Sequence, residues 1–61
     1  MPIVQIEFFA GRTVDQKRAL ADKVTRAICE ALSVPPESVR IILREMKHED
    51  YATAGKLRVD G

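Results

Sequence analysis

The sequence predicts an α/β protein built on one βαβ unit with parallel strands. Three observations carry this expectation. Residues 2–9 are rich in β-branched and aromatic side chains, residues 13–32 repeat apolar side chains at helical spacing, and residues 38–45 alternate apolar and charged positions. Strand, helix and strand in that order join through a right-handed crossover, which makes the two strands parallel.

The first strand is Pro2-Ile3-Val4-Gln5-Ile6-Glu7-Phe8-Phe9. Val4, Ile6 and Phe8 point one way, and Ile3, Gln5, Glu7 and Phe9 the other. Ala10-Gly11-Arg12 breaks the strand, with Gly11 available for a tight turn. Thr13 followed three residues later by Gln16 has the spacing of a capping box. Leu20, Val24, Ala27, Ile28 and Ala31 then fall in a stripe about 100° wide. Asp22, Thr25, Arg26 and Cys29 lie outside it. Ser33 and the Pro35-Pro36 pair end the helix, because a proline-proline pair cannot continue it. In the second strand Val39, Ile41 and Leu43 share one face while Arg40, Ile42 and Arg44 share the other. Beyond Met46 the chain is polar. Lys56-Leu57-Arg58-Val59 alternates weakly, as a short strand docking on a neighbour would, and His48-Glu49-Asp50 reads as loop.

Length then constrains the state of the molecule. A chain of 61 residues buries only about 60% of the surface its unfolded form exposes. Cys29 is the only cysteine, so no internal disulfide forms, and one His with one Cys is a poor metal set. Two strands and one helix do not complete a layered structure and leave strand edges open. The expectation is a homo-oligomer, a dimer at least, in which a second subunit meets the open edges and the uncovered apolar face. All of residues 1–61 form a single domain, with no repeat or linker.

Charge and hydropathy narrow the partners. Ten basic and nine acidic side chains give a net charge of +1, with the signs interspersed. That balance argues against nucleic acid or an anionic membrane as a partner. Apolar runs such as Phe8-Phe9-Ala10 and Ile41-Ile42-Leu43 are too short for a membrane span or a signal peptide. The lone cysteine and the lack of a targeting segment point to the cytoplasm.

Pro2 is the residue with unusual chemistry. Initiator methionine is normally removed before a residue as small as proline, which would turn the Pro2 nitrogen into a secondary amine. An α-amino group has a pKa of about 7.7–8.0, and apolar surroundings with cations nearby lower such values. A terminal proline so placed is a base or nucleophile near neutral pH. Taken alone, however, Pro2 reads as an ordinary residue at the start of an edge strand. Arg12 alone reads as a solvated loop cation, and Arg40 as a strand cation pairing with Glu37 or Glu45.

The accompanying residues give these three a common context. Met1-Pro2-Ile3-Val4-Gln5-Ile6, Gly11-Arg12-Thr13, Ser38-Val39-Arg40, Glu45-Met46 and Ala54-Gly55, in this order and spacing, resemble the 4-oxalocrotonate tautomerase family. The resemblance runs from Pro2 to about Lys56 and implies βαβ protomers that dimerise to a four-stranded sheet with two helices, three such dimers forming a hexamer, and an amino-terminal catalytic proline. It implies that Pro2 is the general base, that Arg40 binds the 2-oxo oxygen and adjacent carboxylate, and that Arg12 holds the distal carboxylate. Guanidinium forks suit both arginine roles because they pair bidentately with carboxylates. Tyr51 falls where the family usually has a Phe walling the pocket, and Phe9 where a Leu is common. The implied reaction converts a 2-hydroxy-dienoate such as 2-hydroxymuconate into its conjugated 2-oxo isomer, with no metal or organic cofactor. In the family this step belongs to catabolism of aromatic compounds.

Two alternatives remain open at this level. One is a hydratase or dehalogenase of 3-haloacrylates, which needs a carboxylate such as Glu7, Glu49 or Asp50 to activate water. The other is a non-catalytic oligomerising module. His48 reads as a solvated loop histidine and Cys29 as an unreactive thiol.

Overall fold

A computed structural model describes residues 1–61. Strand β1 spans Ile3–Phe9, helix α1 Val14–Leu32 and strand β2 Arg40–Met46. The two strands pair in parallel, with Ile3 opposite Arg40, Gln5 opposite Ile42, Ile6 opposite Leu43 and Phe9 opposite Met46. The expected βαβ unit is therefore present. β2 begins two residues later than the alternation suggests, because Pro36–Ser38 form a turn of 3-10 helix after the proline pair. Pro35 is already fixed near φ −75°, and the Ser38 and Val39 amides both bond back into this turn rather than across the sheet.

Helix α1 starts as its sequence dictates. The Gln16 amide donates to the Thr13 hydroxyl at 3.1 Å, and the Thr13 amide donates to Gln16 Oε1 at 2.9 Å. Both halves of the capping box are formed, satisfying two amides that the first helical turn leaves without partners. The helix ends at Ser33, which takes a left-handed conformation at φ 56°.

The helix packs on the face of the sheet that carries Val4, Ile6, Phe8, Ile41 and Leu43, all half-buried. Its covered side is turned somewhat from the stripe. Ala21, Thr25 and Cys29 are half-buried, while Ala27 and Ala31 are exposed. Two strands are narrower than the stripe, so one flank of the helix has nothing beneath it. Cys29, expected outside the apolar stripe, lies on the covered side for the same reason.

The carboxy-terminal segment differs most from expectation. His48–Asp50 form a 3-10 turn rather than open loop. Lys56–Leu57 do form a strand, β4, but it pairs with Ala52–Thr53 (β3) of the same chain in an antiparallel hairpin. Ala54 and Gly55 make the two-residue turn, both at positive φ of 54° and 80°. Arg58–Asp60 follow as a further 3-10 turn instead of extending the strand.

No residue of the single chain is fully buried. A folded monomer of 6.8 kDa has an accessible surface of about 3,950 Å², whereas this chain exposes 4864 Å². Its radius of gyration is 14.7 Å, against about 10.5 Å for a compact chain of this length. The sheet face away from the helix is uncovered, with Ile3 62% and Ile42 41% exposed. No helix is long and apolar enough to cross a membrane.

Candidate active site

Pro2 and Arg40 meet at one end of the sheet. The Arg40 amide donates to the Pro2 carbonyl at 2.9 Å, which extends the parallel ladder by one residue and fixes Pro2 at the start of β1. Pro2 is half-buried, whereas Met1 is 80% exposed. Arg40 does not pair with a carboxylate. Its Nη1 donates to the Glu37 carbonyl at 2.6 Å, with a longer contact to the Val39 carbonyl at 3.4 Å. Nε and Nη2 have no protein acceptor, so this guanidinium keeps donors for an anion.

Phe9 and Tyr51 meet at the other end. Their rings are 5.2 Å apart and nearly perpendicular, an edge-to-face contact that is favourable for aromatic pairs. Seven residue steps along β1 separate this wall from Pro2, or about 23 Å at the rise of a strand. Arg12 lies apart from both groups. It lines a small recess of about 120 Å³ with Phe8, Gln16, Lys17 and Leu20, on the helix side of the sheet. The single chain thus brings together Pro2 with Arg40 and Phe9 with Tyr51. It does not bring all five residues into one pocket.

Two further residues join the aromatic wall. His48 stacks on Phe9 with ring centres 4.5 Å apart and planes 4° from parallel. The Arg58 guanidinium sits 4.6 Å from the centre of the same ring, and its Nε donates to His48 Nδ1 at 2.9 Å. That short bond requires both groups to lie over the same face of Phe9. His48 is therefore exposed to solvent, as expected, yet also an organised part of the wall. A sequence signal for it exists in hindsight. Arg40, Ile42, Arg44, Met46 and His48 continue one alternation, and Phe9 sits opposite Met46 on that face. Arg58 has no such signal, since only the hairpin returns it to Phe9.

Glu45 is engaged on the helix side, where Lys17 of α1 pairs with it. Of the carboxylates considered for activating water, Glu49 lies 3.8 Å from Lys47, and Glu7 stands opposite Arg44 across the sheet. No cluster of metal-ligating side chains is present.

Comparison with known proteins gives these residues a family. The family model described as Tautomerase enzyme matches residues 2–60. A probable tautomerase of Halalkalibacterium halodurans is 45% identical over 56 residues, covering 92% of each chain. Among solved structures, YwhB, a homologue of 4-oxalocrotonate tautomerase, is 38% identical with a TM-score of 0.92 over 98% of each chain. A heterohexamer 4-oxalocrotonate tautomerase from Chloroflexus aurantiacus is 28% identical, with a TM-score of 0.88 over 98% of this chain and 97% of that one. A structure solved for trans-3-chloroacrylic acid dehalogenase activity is 32% identical, with a TM-score of 0.82 over 92% of this chain and 97% of that one.

Proposed function

The chain belongs to the tautomerase family, and we propose that it is an isomerase of 2-hydroxy-dienoates with Pro2 as its general base. The single observation that carries this reading is Pro2 itself. It is half-buried, hydrogen-bonded through its carbonyl to the Arg40 amide, and preceded by a Met1 that is 80% exposed. Removing Met1 costs little packing and leaves a secondary amine at the fixed start of a strand.

On a substrate such as 2-hydroxymuconate the amine takes the proton of the 2-hydroxyl and returns one to carbon 5. The 2-oxo group forms as the double bonds shift into conjugation with it. Negative charge builds on the 2-oxygen during the transfer, and the free donors of Arg40 suit its stabilisation. No redox change occurs, so proton transfer with oriented charge is sufficient chemistry.

The site is completed between copies. Pro2 and the Phe9–Tyr51 wall are about 23 Å apart in one chain, so a second copy must contribute the wall to the first copy's Pro2. The uncovered sheet face and the surplus surface support the same assembly, with a four-stranded sheet and two helices in the dimer unit and three such dimers in a hexamer. Arg12 enters this pocket from a neighbouring copy and holds the distal carboxylate. We place the enzyme in the cytoplasm, acting as a single domain in the breakdown of aromatic compounds.

The test is an ultraviolet assay with 2-hydroxymuconate, preceded by an intact mass to establish the loss of Met1. Pro2→Ala is expected to lower kcat by about 10²-fold or more, the usual contribution of a positioned general base. Full activity in Pro2→Ala sinks the mechanism. The 32% identity to the chloroacrylate dehalogenase structure favours one second reading, hydration of a 3-haloacrylate with Pro2 as the acid. Chloride release from 3-chloroacrylate, in the absence of tautomerisation, would establish it instead.

A further inference from the structure

Beside the Phe9–Tyr51 wall lies an open groove of about 710 Å³. Its polar lining comes from His48, Tyr51, Thr53, Lys56 and Arg58, and no acidic side chain faces it. Two of these residues are cations, and Tyr51 and Thr53 can each donate a hydroxyl hydrogen. The remaining lining is partly apolar, with Leu57. The groove therefore suits a ligand with an apolar body and an anionic end.

Arg58 is the member best prepared to receive that end. A long side chain ordinarily loses rotamer freedom when it binds a ligand. Here the loss has already been met within the protein. The Phe9 ring lies 4.6 Å from the guanidinium, and His48 Nδ1 takes the Nε proton at 2.9 Å. With Nδ1 accepting this bond, Nε2 is the ring nitrogen left to carry a hydrogen. The terminal nitrogens Nη1 and Nη2 have no protein acceptor and no carboxylate within ion-pair distance. They form a fixed fork with the geometry that a carboxylate accepts bidentately. Arg12, in contrast, opens onto the helix side of the sheet in this chain.

We infer that Arg58 is a carboxylate anchor of the pocket bounded by Phe9 and Tyr51, and that His48 is its positioning residue. Arg58 adds a second guanidinium, beside the Arg12 that a neighbouring copy brings, for a carboxylate at the end remote from the reacting enol. This deepens the proposed function and rests on Phe9 and Tyr51 walling the substrate pocket.

The experiment measures binding separately from turnover, on the full native chain. The probes are muconate and its uncharged diamide, which share one carbon skeleton and differ in charge. Isothermal titration gives both affinities for the native protein, Arg58→Ala and His48→Phe, with circular dichroism and native mass confirming fold and assembly. Loss of a charge-assisted bidentate contact predicts muconate binding about 10- to 100-fold weaker in Arg58→Ala, with diamide binding unchanged. His48→Phe keeps the stack on Phe9 but removes the acceptor, and is expected to lose a smaller part of the muconate affinity alone. For turned-over dicarboxylates the same variants raise KM more than they lower kcat. Muconate affinity that survives Arg58→Ala overturns the inference, as does an equal loss for the diamide, which would mark a shape effect. If 2-hydroxymuconate is not turned over yet the muconate loss persists, the tautomerase reading fails while the anchor stands.

Discussion

The uncovered sheet face gives the sharpest quantitative expectation. Replacing Ile3 and Ile42 with threonine keeps the β-branched shape that strands favour and removes apolar surface from that face. The two side chains are 62% and 41% exposed, so together they present about one whole isoleucine per chain. Burying an isoleucine contributes about 1.5–3 kcal/mol. Where two chains meet through this face about a two-fold axis the patch is used twice, so the pair is worth about 3–6 kcal/mol per such contact. That corresponds to a dissociation constant roughly 10²- to 10⁴-fold higher in the double variant. Sedimentation velocity across a dilution series reads the assembly, and turnover in the same series reads the site. Activity is expected to fall with the assembly, since one chain does not hold Pro2 and the aromatic wall together. A double variant that assembles and turns over like the native protein at every dilution would refute both the interface and the composite site.

Two smaller predictions concern stability. Thr13→Ala removes one half of the capping box and should cost about 1 kcal/mol in chemical denaturation at fixed protein concentration. Ala54 sits at φ 54° in a two-residue hairpin turn where asparagine is preferred before glycine. Ala54→Asn should therefore raise stability by roughly 0.5–1 kcal/mol, with no change in helix content by circular dichroism.

The parts of the fold legible in the sequence are those with long periodic patterns. β1, α1 and β2 each repeat their apolar side chains often enough to declare their period, and Thr13 with Gln16 marks the helix start. Lys56–Leu57 was legible as a short strand, but its pairing with β3 in the same chain was not, for a physical reason. β3 is only two residues long, and the turn is Ala-Gly in place of the Asn-Gly or Asp-Gly that announces such hairpins. Missing the hairpin meant missing Arg58, because the return of the chain is what lays its guanidinium over Phe9. His48 was obscured by its charged neighbours Glu49 and Asp50, although the alternation of β2 runs on to it. For the site, Pro2, Arg12 and Arg40 carried a family resemblance in their order along the chain. Their distribution over two ends and two faces of the sheet could not be read from order alone.

That distribution ties ligand binding to assembly. Arg40 stands opposite Ile3 on the same uncovered face, so association that covers Ile3 and Ile42 also withdraws water from Arg40. The Glu37 carbonyl satisfies only Nη1, at 2.6 Å, leaving Nε and Nη2 to lose their water without replacement. An unpaired charge in such a setting costs several kcal/mol, and a carboxylate bound in the pocket removes much of that cost. A dicarboxylate should thus favour the assembled state over free chains. By mass action, muconate at 100 times its dissociation constant contributes about 2.7 kcal/mol per site to the form that binds it. The expected outcome is a sedimentation midpoint shifted to lower protein concentration by muconate, with a smaller shift in Arg40→Ala. Equal midpoints with and without muconate, at a concentration that titration shows to be saturating, would separate assembly from binding and disprove the coupling.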